Sequence, residues 1–313
     1  MEVENTLAKN INSAGENAAY DAACKRLLAN KIILAWIMKS CVEEYRDCSI
    51  SDIAEKYIEG QPRVAETAVN PDDDIYGEQI KGAATEDATI HEGTITYDIR
   101  FYAVIPVSGE RIRLIINIEA QNDFYPGYPI IKRALYYCSR MISSQYGTEF
   151  TESHYEKIKK VYSIWICMNP PKNRKNSINR YTIEEENLVG DVVENRQNYD
   201  LLTAVIICLG DSAVASSGIL KLLEVLLSSE RKAEEKKKIL KEDFSIEMTK
   251  ELESEVSVMC NLSKGVEEKG MAKGILASIK NLMESMGWSA EQAMDALKIS
   301  ETDRKQYMDE LRK

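Results

Sequence analysis

An α/β domain followed by a helical C-terminal extension is the fold class this 313-residue sequence predicts. Three observations carry that prediction. Segments 94–105 (TITYDIRFYAVI) and 111–120 (RIRLIINIEA) are dense in β-branched and aromatic residues and flank Pro106-Val-Ser-Gly-Glu110, the pattern of a strand–turn–strand unit. Lys160–Met168 (KVYSIWICM) is an apolar run of strand length, as expected of a strand buried on both faces of a parallel sheet. All seven prolines lie at or before Pro171, and from about residue 214 onward apolar residues recur at helical spacing.

The remaining elements follow in order. Residues 14–46 predict one or two helices, with Leu27, Leu28, Ile32, Trp36, Val42 and Tyr45 at three-to-four spacing. Ser49 and Ser51 precede a short amphipathic piece ending at Ile58. Residues 60–93, rich in Gly, Pro and Asp, predict loop with one short strand near 75–80, and Asn70-Pro71-Asp72-Asp73-Asp74 is expected in that exposed loop rather than in a metal cluster. Ile131, Leu135, Cys138 and Ile142 define a helix over 129–146, with Tyr136 and Tyr137 packing beside them. Ile178–Ile183 predicts a strand, and Leu201–Leu209 a buried strand or a short helix. Trp36 and Trp165 are expected in the core.

Beyond 214, Leu220, Leu223 and Leu227 begin a helix, and the charge-dense Glu230–Lys241 predicts a solvated one. Met248, Leu252, Val256, Met259, Leu262 and Val266 share one face, which packs on the core or pairs with a second copy as a homodimer. Gly265, Gly270 and Gly274 are expected to loosen the next stretch. Gly287-Trp288-Ser289 marks a break, with Ser289 and Ser300 as candidate caps. The expected division is a domain over 1–228, a charged helical connector over 229–270 and a small helical unit over 271–313.

Composition narrows the chemistry. No apolar run approaches the roughly 20 residues of a membrane helix, so no membrane association is expected. The polar N-terminus lacks a secretion-signal layout. Seven scattered cysteines form no C-x-x-C pair, which predicts reduced, buried thiols in a cytoplasmic protein. Two histidines, His91 and His154, disfavour three-histidine zinc sites and Ser-His or Cys-His catalysis, and no Gly-rich phosphate loop is present. Chemistry here rests on carboxylates. Net charge is −11, yet residues 50–130 hold 15 acids against 6 bases, while residues 130–180 hold ten bases against three acids. A metal site beside a phosphate-binding surface requires that pairing; a solvated basic helix and loop produces the same counts.

A two-residue hairpin centred on Ser108-Gly109 sets residue i opposite residue 217 − i. Asp98 then faces Glu119, at a Cβ separation of about 4.5–5.5 Å, where like charges destabilise unless a cation lies between them. Gln121 projects from the same face as Glu119. Carboxylate and carbonyl oxygens are what magnesium prefers, and a metal so held activates water for attack on a phosphodiester. The plainer reading leaves Asp98 and Glu119 facing solvent or paired with Arg100 or Arg113.

Glu92–Ala134, which includes IEAQNDFYPGYP, resembles the PD-(D/E)XK nuclease family transposases of bacteria, related to the recombination-promoting nucleases. Ile33–Gly60, Lys159–Pro171 (KKVYSIWICMNPP) and Asn198–Leu209 (NYDLLTAVIICL) are similar to the same family, and the likeness runs through residues 1–230 and into the helical tail. The resemblance implies a restriction-endonuclease-like core (αβββαβ, a mixed sheet flanked by helices). It also implies Mg2+, replaceable by Mn2+, at Asp98 and Glu119, and cleavage of DNA in transposition or recombination. Gln121 stands where the motif has lysine and would position the attacking water or the phosphate; Lys132 or Arg133 would supply the missing charge. The basic stretch Asn169–Arg180, with Lys172, Arg174 and Lys175, is expected to grip the DNA backbone, or to be a plain surface loop. Glu43 or Glu44 either adds a helical acid to the site or forms surface salt bridges. The alternative is a catalytically degenerate nuclease fold that binds DNA or protein partners.

Overall fold

The computed structural model describes residues 18–64, 86–89, 93–106, 113–210, 218–228 and 231–311. Two compact units divide the chain, Ala18–Met259 and the stretch from Cys260 onward. The segment Asn70–Asp74 and the strand expected near 75–80 lie outside the described residues, as does the turn between the two predicted strands.

The first unit opens with two helices, α1 (residues 18–28) and α2 (Lys31–Cys41). The Asn30 side chain accepts the backbone N–H of Ile32 and starts α2. A helical turn over Ile50–Asp52, capped by Ser49, continues into Ile53–Tyr57. Eight strands follow among the described residues: β1 (Arg63–Val64), β2 (Glu86–Thr89), β3 (Gly93–Thr96), β4 (Ile99–Val104), β5 (Arg113–Asp123), β6 (Val161–Asn169), β7 (Ser177–Thr182) and β8 (Leu202–Cys208). Six form one mixed sheet in the order β1-β4-β5-β6-β8-β7, while β2 and β3 pair separately. Strands β5, β6 and β8 run parallel to one another; β4 is antiparallel to β5, and β7 to β8. The apolar run at 201–209 is therefore a strand.

The sequence predicts one strand over 94–105, but the chain bends at Tyr97-Asp98 and its two halves join different sheets. The β4–β5 register is the one expected from the hairpin arithmetic: Ile99 faces Ile118, Arg100 faces Asn117 and Val104 faces Arg113.

Helix α3 (Ile130–Ser143) crosses from β5 to β6. It buries Ile130, Ala134, Tyr137, Cys138 and Met141 against Ile115, Val161, Trp165, Ala204 and Ile206 of the sheet. The face expected from Ile131, Leu135, Cys138 and Ile142 is rotated by about one position: Leu135 and Tyr136 are exposed, and Ala134 and Tyr137 take the core places. Alternate residues of the same strands, among them Ile116, Ile118 and Ile164, are buried on the other face. There the Tyr162 hydroxyl donates to Glu44 just past α2 at 2.6 Å. Trp165 is fully buried, whereas Trp36 is half-buried, edge-on to Phe244 at 5.4 Å between centroids.

Helices α4 (Gly218–Leu227), α5 (Ala233–Phe244) and the start of α6 (Lys250–Met286) complete this unit. The charged stretch at 230–241 departs from a fully solvated helix. Lys236 of α5 is wholly buried, and its Nζ donates to the Leu226 carbonyl at 2.9 Å and the Ser228 carbonyl at 2.7 Å. A cation there satisfies carbonyls that the C-terminus of α4 leaves without helical partners and complements the helix dipole. Lys236→Met keeps the packing and removes both of these hydrogen bonds, so a loss of about 1–3 kcal/mol is expected. Urea unfolding reads it; an unchanged midpoint would show that water replaces the ammonium at no cost.

Leu252, Val256 and Met259 of α6 are buried. The helix runs without interruption through Gly265, Gly270 and Gly274, contrary to the loosening expected of them. In the second unit α6 is followed by α7 (Ala290–Ala296) and α8 (Glu301–Leu311), with a core of Ile279, Ala293, Met294 and Tyr307. Ser289 caps α7 in a capping box with Gln292. No helix among the described residues is long and apolar enough to cross a membrane.

Candidate functional site

Strand β4 starts one residue after Asp98, and the register extended by that residue sets Asp98 opposite Glu119. Reciprocal hydrogen bonds tie the two together. The Asp98 backbone N–H donates to Glu119 Oε1 at 3.1 Å, and the Ala120 N–H donates to Asp98 Oδ2 at 3.0 Å. The bend at Tyr97-Asp98 takes this backbone out of the strand ladder, which leaves its N–H to be satisfied by a side chain. Asn117 Nδ2 also donates to Glu119 Oε1, at 2.7 Å. Among the described residues no hydrogen bond reaches Glu119 Oε2.

Lys25 of α1 supplies a cation. Its Nζ lies 2.9 Å from Asp98 Oδ1 and 2.5 Å from Asp21 Oδ2. Glu119 is only 4% exposed, while the Asp98 side chain keeps 16% exposure. Asp98 is thus the more accessible of the two acids.

Burial, and then the charge of Asp98, push the Glu119 carboxyl well above its usual range. Burial also raises Asp98, against the opposing pull of Lys25. For Lys25 burial disfavours the ammonium, but the Asp98 and Asp21 carboxylates outweigh it and hold the pKa high. Burial makes both adjacent acids hard to ionise, and Lys25 offsets that only in part. Arg133 offsets a further part at Glu119. Its guanidinium lies over the rings of Tyr137 and Trp165, 5.1 and 5.2 Å from their centroids, and donates to the Tyr137 hydroxyl at 2.7 Å. Lys132, its neighbour, is exposed. Of the two bases expected to supply charge, Arg133 is the one beside the acids.

Gln121 pairs in register with Cys167 of β6, one step along the same face from Glu119 and Trp165. Its side-chain amide donates to the Asp123 carbonyl at 2.5 Å. Lys172 and Arg174 are exposed in a short turn after β6, and Lys175 is half-buried. This turn leaves the sheet at the end where Asn169 Nδ2 donates to Asn122 Oδ1 at 2.6 Å. The basic turn and the Glu119–Gln121 segment therefore share the carboxyl ends of the parallel strands.

Glu43 and Glu44 are engaged elsewhere. Glu43 pairs with Arg180 and Arg196, and Glu44 with Lys160 and the Tyr162 hydroxyl. Arg100 lies over the Tyr97 ring and reaches Ser144. No family model, curated protein or solved structure matches this chain.

Among the described residues no three His, Cys, Asp or Glu side chains form a metal-ligating group. The acid pair still fits a magnesium ion in part. Glu119 Oε2 accepts no hydrogen bond from the described residues, and Asp98 Oδ1 is held by a flexible lysine. Magnesium is commonly bound by one or two carboxylates, with water and substrate phosphate at its other positions. Two participants are hard to find from sequence. Asn117 leaves a trace, as the one polar residue within the apolar stretch Leu114–Ile118, two residues before Glu119 and so on its face. Lys25 leaves none, since its local partner, Asp21, makes an ordinary i,i+4 helix pair.

Proposed function

We propose that this chain is a divalent-metal-dependent DNA endonuclease with a restriction-endonuclease-like core, acting in transposition or recombination. The observation that carries the reading is the buried pair of Asp98 and Glu119, set side by side across two strands, where burial and the charge of the neighbouring acids outweigh the pull of Lys25 and Arg133. Like charges so placed cost stability, and a site that binds a cation recovers that cost. The path through α2, β1, β4, β5, α3 and β6, with the last strand parallel to β5, follows the αβββαβ order and supports the same reading.

Asp98 and Glu119 would hold Mg2+ or Mn2+. Such an ion would supply Lewis acidity toward water and the phosphate. The chain's own residues orient the ligands. Asn117 and the Asp98 N–H fix Glu119 Oε1, and the Ala120 N–H fixes Asp98 Oδ2. Gln121 would position water or phosphate after giving up its bond to Asp123. Arg133 lies close enough to bias the field at Glu119. Lys172, Arg174 and Lys175 would contact backbone phosphates, each adding salt-dependent affinity without reading sequence.

The test is nicking of supercoiled plasmid in Mg2+ or Mn2+. Wild-type protein is expected to nick, and Glu119→Ala to fall at least about 10²–10³-fold, the scale for removing one preorganised electrostatic group. Metal-dependent nicking that survives the substitution would overturn the assignment.

A second reading has its own support. Gln121 is turned onto its own strand, and both acids already satisfy backbone groups, Glu119 that of Asp98 just before β4 and Asp98 that of Ala120 in β5. A nuclease fold without activity, binding DNA or a protein partner, accounts for those bonds. Such a protein would shift DNA in a mobility assay and leave plasmid intact in every metal.

A further inference from the structure

Lys25 holds the one Asp98 oxygen that a metal ion needs. Asp98 Oδ2 is committed to the Ala120 N–H at 3.0 Å, which leaves Oδ1 for a cation, and the Lys25 ammonium occupies it at 2.9 Å. Magnesium binds carboxylate oxygen at about 2.0–2.1 Å. An ion there and an ammonium on the same atom would repel across a buried, poorly screened space. Lysine can move aside, because its charge rides on four flexible carbons. It also has a second anchor, since Asp21 Oδ2 lies 2.5 Å away, one turn back on α1, and is half-exposed.

We propose that Lys25 and a divalent ion are alternative cations at Asp98, and that the displaced ammonium becomes the positive charge over the scissile phosphate which Gln121 cannot provide. The second half rests on the nuclease reading; the first needs only metal binding. In the metal-free protein Lys25 keeps two buried acids from standing uncompensated. When the ion arrives, the acids exchange one counter-charge for another. The ammonium is freed within a side-chain's reach of the ion, where a bound phosphate would accept from it. Loading is then easiest when the ion and a phosphodiester come together, because the phosphate takes up the lysine that the ion evicts. The charge of the family's motif lysine would thus come from the N-terminal helix instead of β5.

Calorimetry with Mn2+ alone, on wild type, Lys25→Met and Lys25→Gln, tests the competition. Both neutral variants are expected to bind Mn2+ about tenfold tighter, because the competing cation is gone. A lysine with a merely structural role would leave affinity unchanged or weaker when removed, and either result overturns the competition. Lys25→Gln still donates to Asp98 and keeps the comparison available if Lys25→Met fails to fold. Plasmid nicking tests the second half, with both variants expected to lose at least about 100-fold, as for other preorganised charges. Variants that nick at the wild-type rate overturn the catalytic role and leave the nuclease reading standing. A wild-type protein that binds Mn2+ but never nicks overturns the nuclease reading and the catalytic role with it, while the affinities still decide the competition. Wild type and variants that all fail to bind Mn2+ overturn everything proposed for this site.

Discussion

Glu119→Gln is expected to melt several degrees above the wild-type protein at pH 8 in metal-free buffer. The glutamine keeps the carbonyl oxygen that accepts from Asn117 and from the Asp98 N–H. It removes a buried charge that its surroundings oppose. The sign follows from linkage. Burial and the neighbouring Asp98 raise the Glu119 pKa in the folded state above its value in the unfolded chain. The folded state therefore favours the protonated acid, and wild-type stability declines as pH rises from the unfolded value, about 4.3, through the folded one. Above that window the whole penalty is present; near pH 4 it vanishes, and the two proteins should melt together. Each tenfold weakening of the acid on folding is worth about 1.4 kcal/mol, and 1 kcal/mol moves the midpoint of a domain this size by about 2–4 °C. Mn2+ should raise the wild-type midpoint by mass action on the folded state and leave the glutamine variant where it was. Differential scanning calorimetry at pH 4 and pH 8 settles the matter. A glutamine variant less stable at pH 8 would mean that Lys25 and Arg133 already over-compensate the pair.

Trp165→Ala is the substitution expected to cost the most stability. Trp165 is the largest of the fully buried side chains. Its indole N–H donates to Ser163 Oγ at 2.8 Å, its ring meets Tyr137 at 5.3 Å, and Arg133 lies over it. Truncating a buried aromatic removes about 3–5 kcal/mol, a large share of the 5–15 kcal/mol typical of a domain. Expression of mostly unfolded protein is the expected result, read by circular dichroism and urea unfolding. Trp165→Phe retains much of the volume and a ring beneath Arg133 but strands the Ser163 hydroxyl, so a smaller loss is expected. An alanine variant of near wild-type stability would mean that the α3 face collapses into the space.

The residues that carry most information in the sequence are those whose environment is set by neighbours along the chain. The β4–β5 register is legible because Pro106-Val-Ser-Gly-Glu110 has the composition of a turn and the two-residue period of strands leaves few alternatives, and that register sets Asp98 beside Glu119. Strand β6 announces itself as a nearly continuous apolar run broken only by Ser163 before its polar end at Asn169. The bend at Asp98 does not, since TITYDIRFYAVI has strand composition from end to end and the switch of sheets depends on β2, a separate pairing partner. The phase of α3 misleads because Leu135 is apolar yet exposed, while Ala134 and Tyr137, weak signals in a hydrophobic count, face the sheet. Lys236 and Lys25 read as surface lysines on charged helices. Only tertiary packing gives one a helix end to cap and the other a carboxylate to neutralise.

Asp98 and Glu119 are 21 residues apart on consecutive antiparallel strands, and that nearness has a kinetic consequence. Contacts of low sequence separation close early and at low entropic cost, so the two acids are expected to meet before the rest of the sheet is made. Water then screens them, and their encounter is nearly free. The desolvation cost arises later, when α3 and α1 close over the strands. A site made costly by burial alone weighs little on the folding limb of a chevron plot and accelerates the unfolding limb. Neutralising Glu119 should therefore lengthen the lifetime of the folded protein and leave its refolding rate almost untouched.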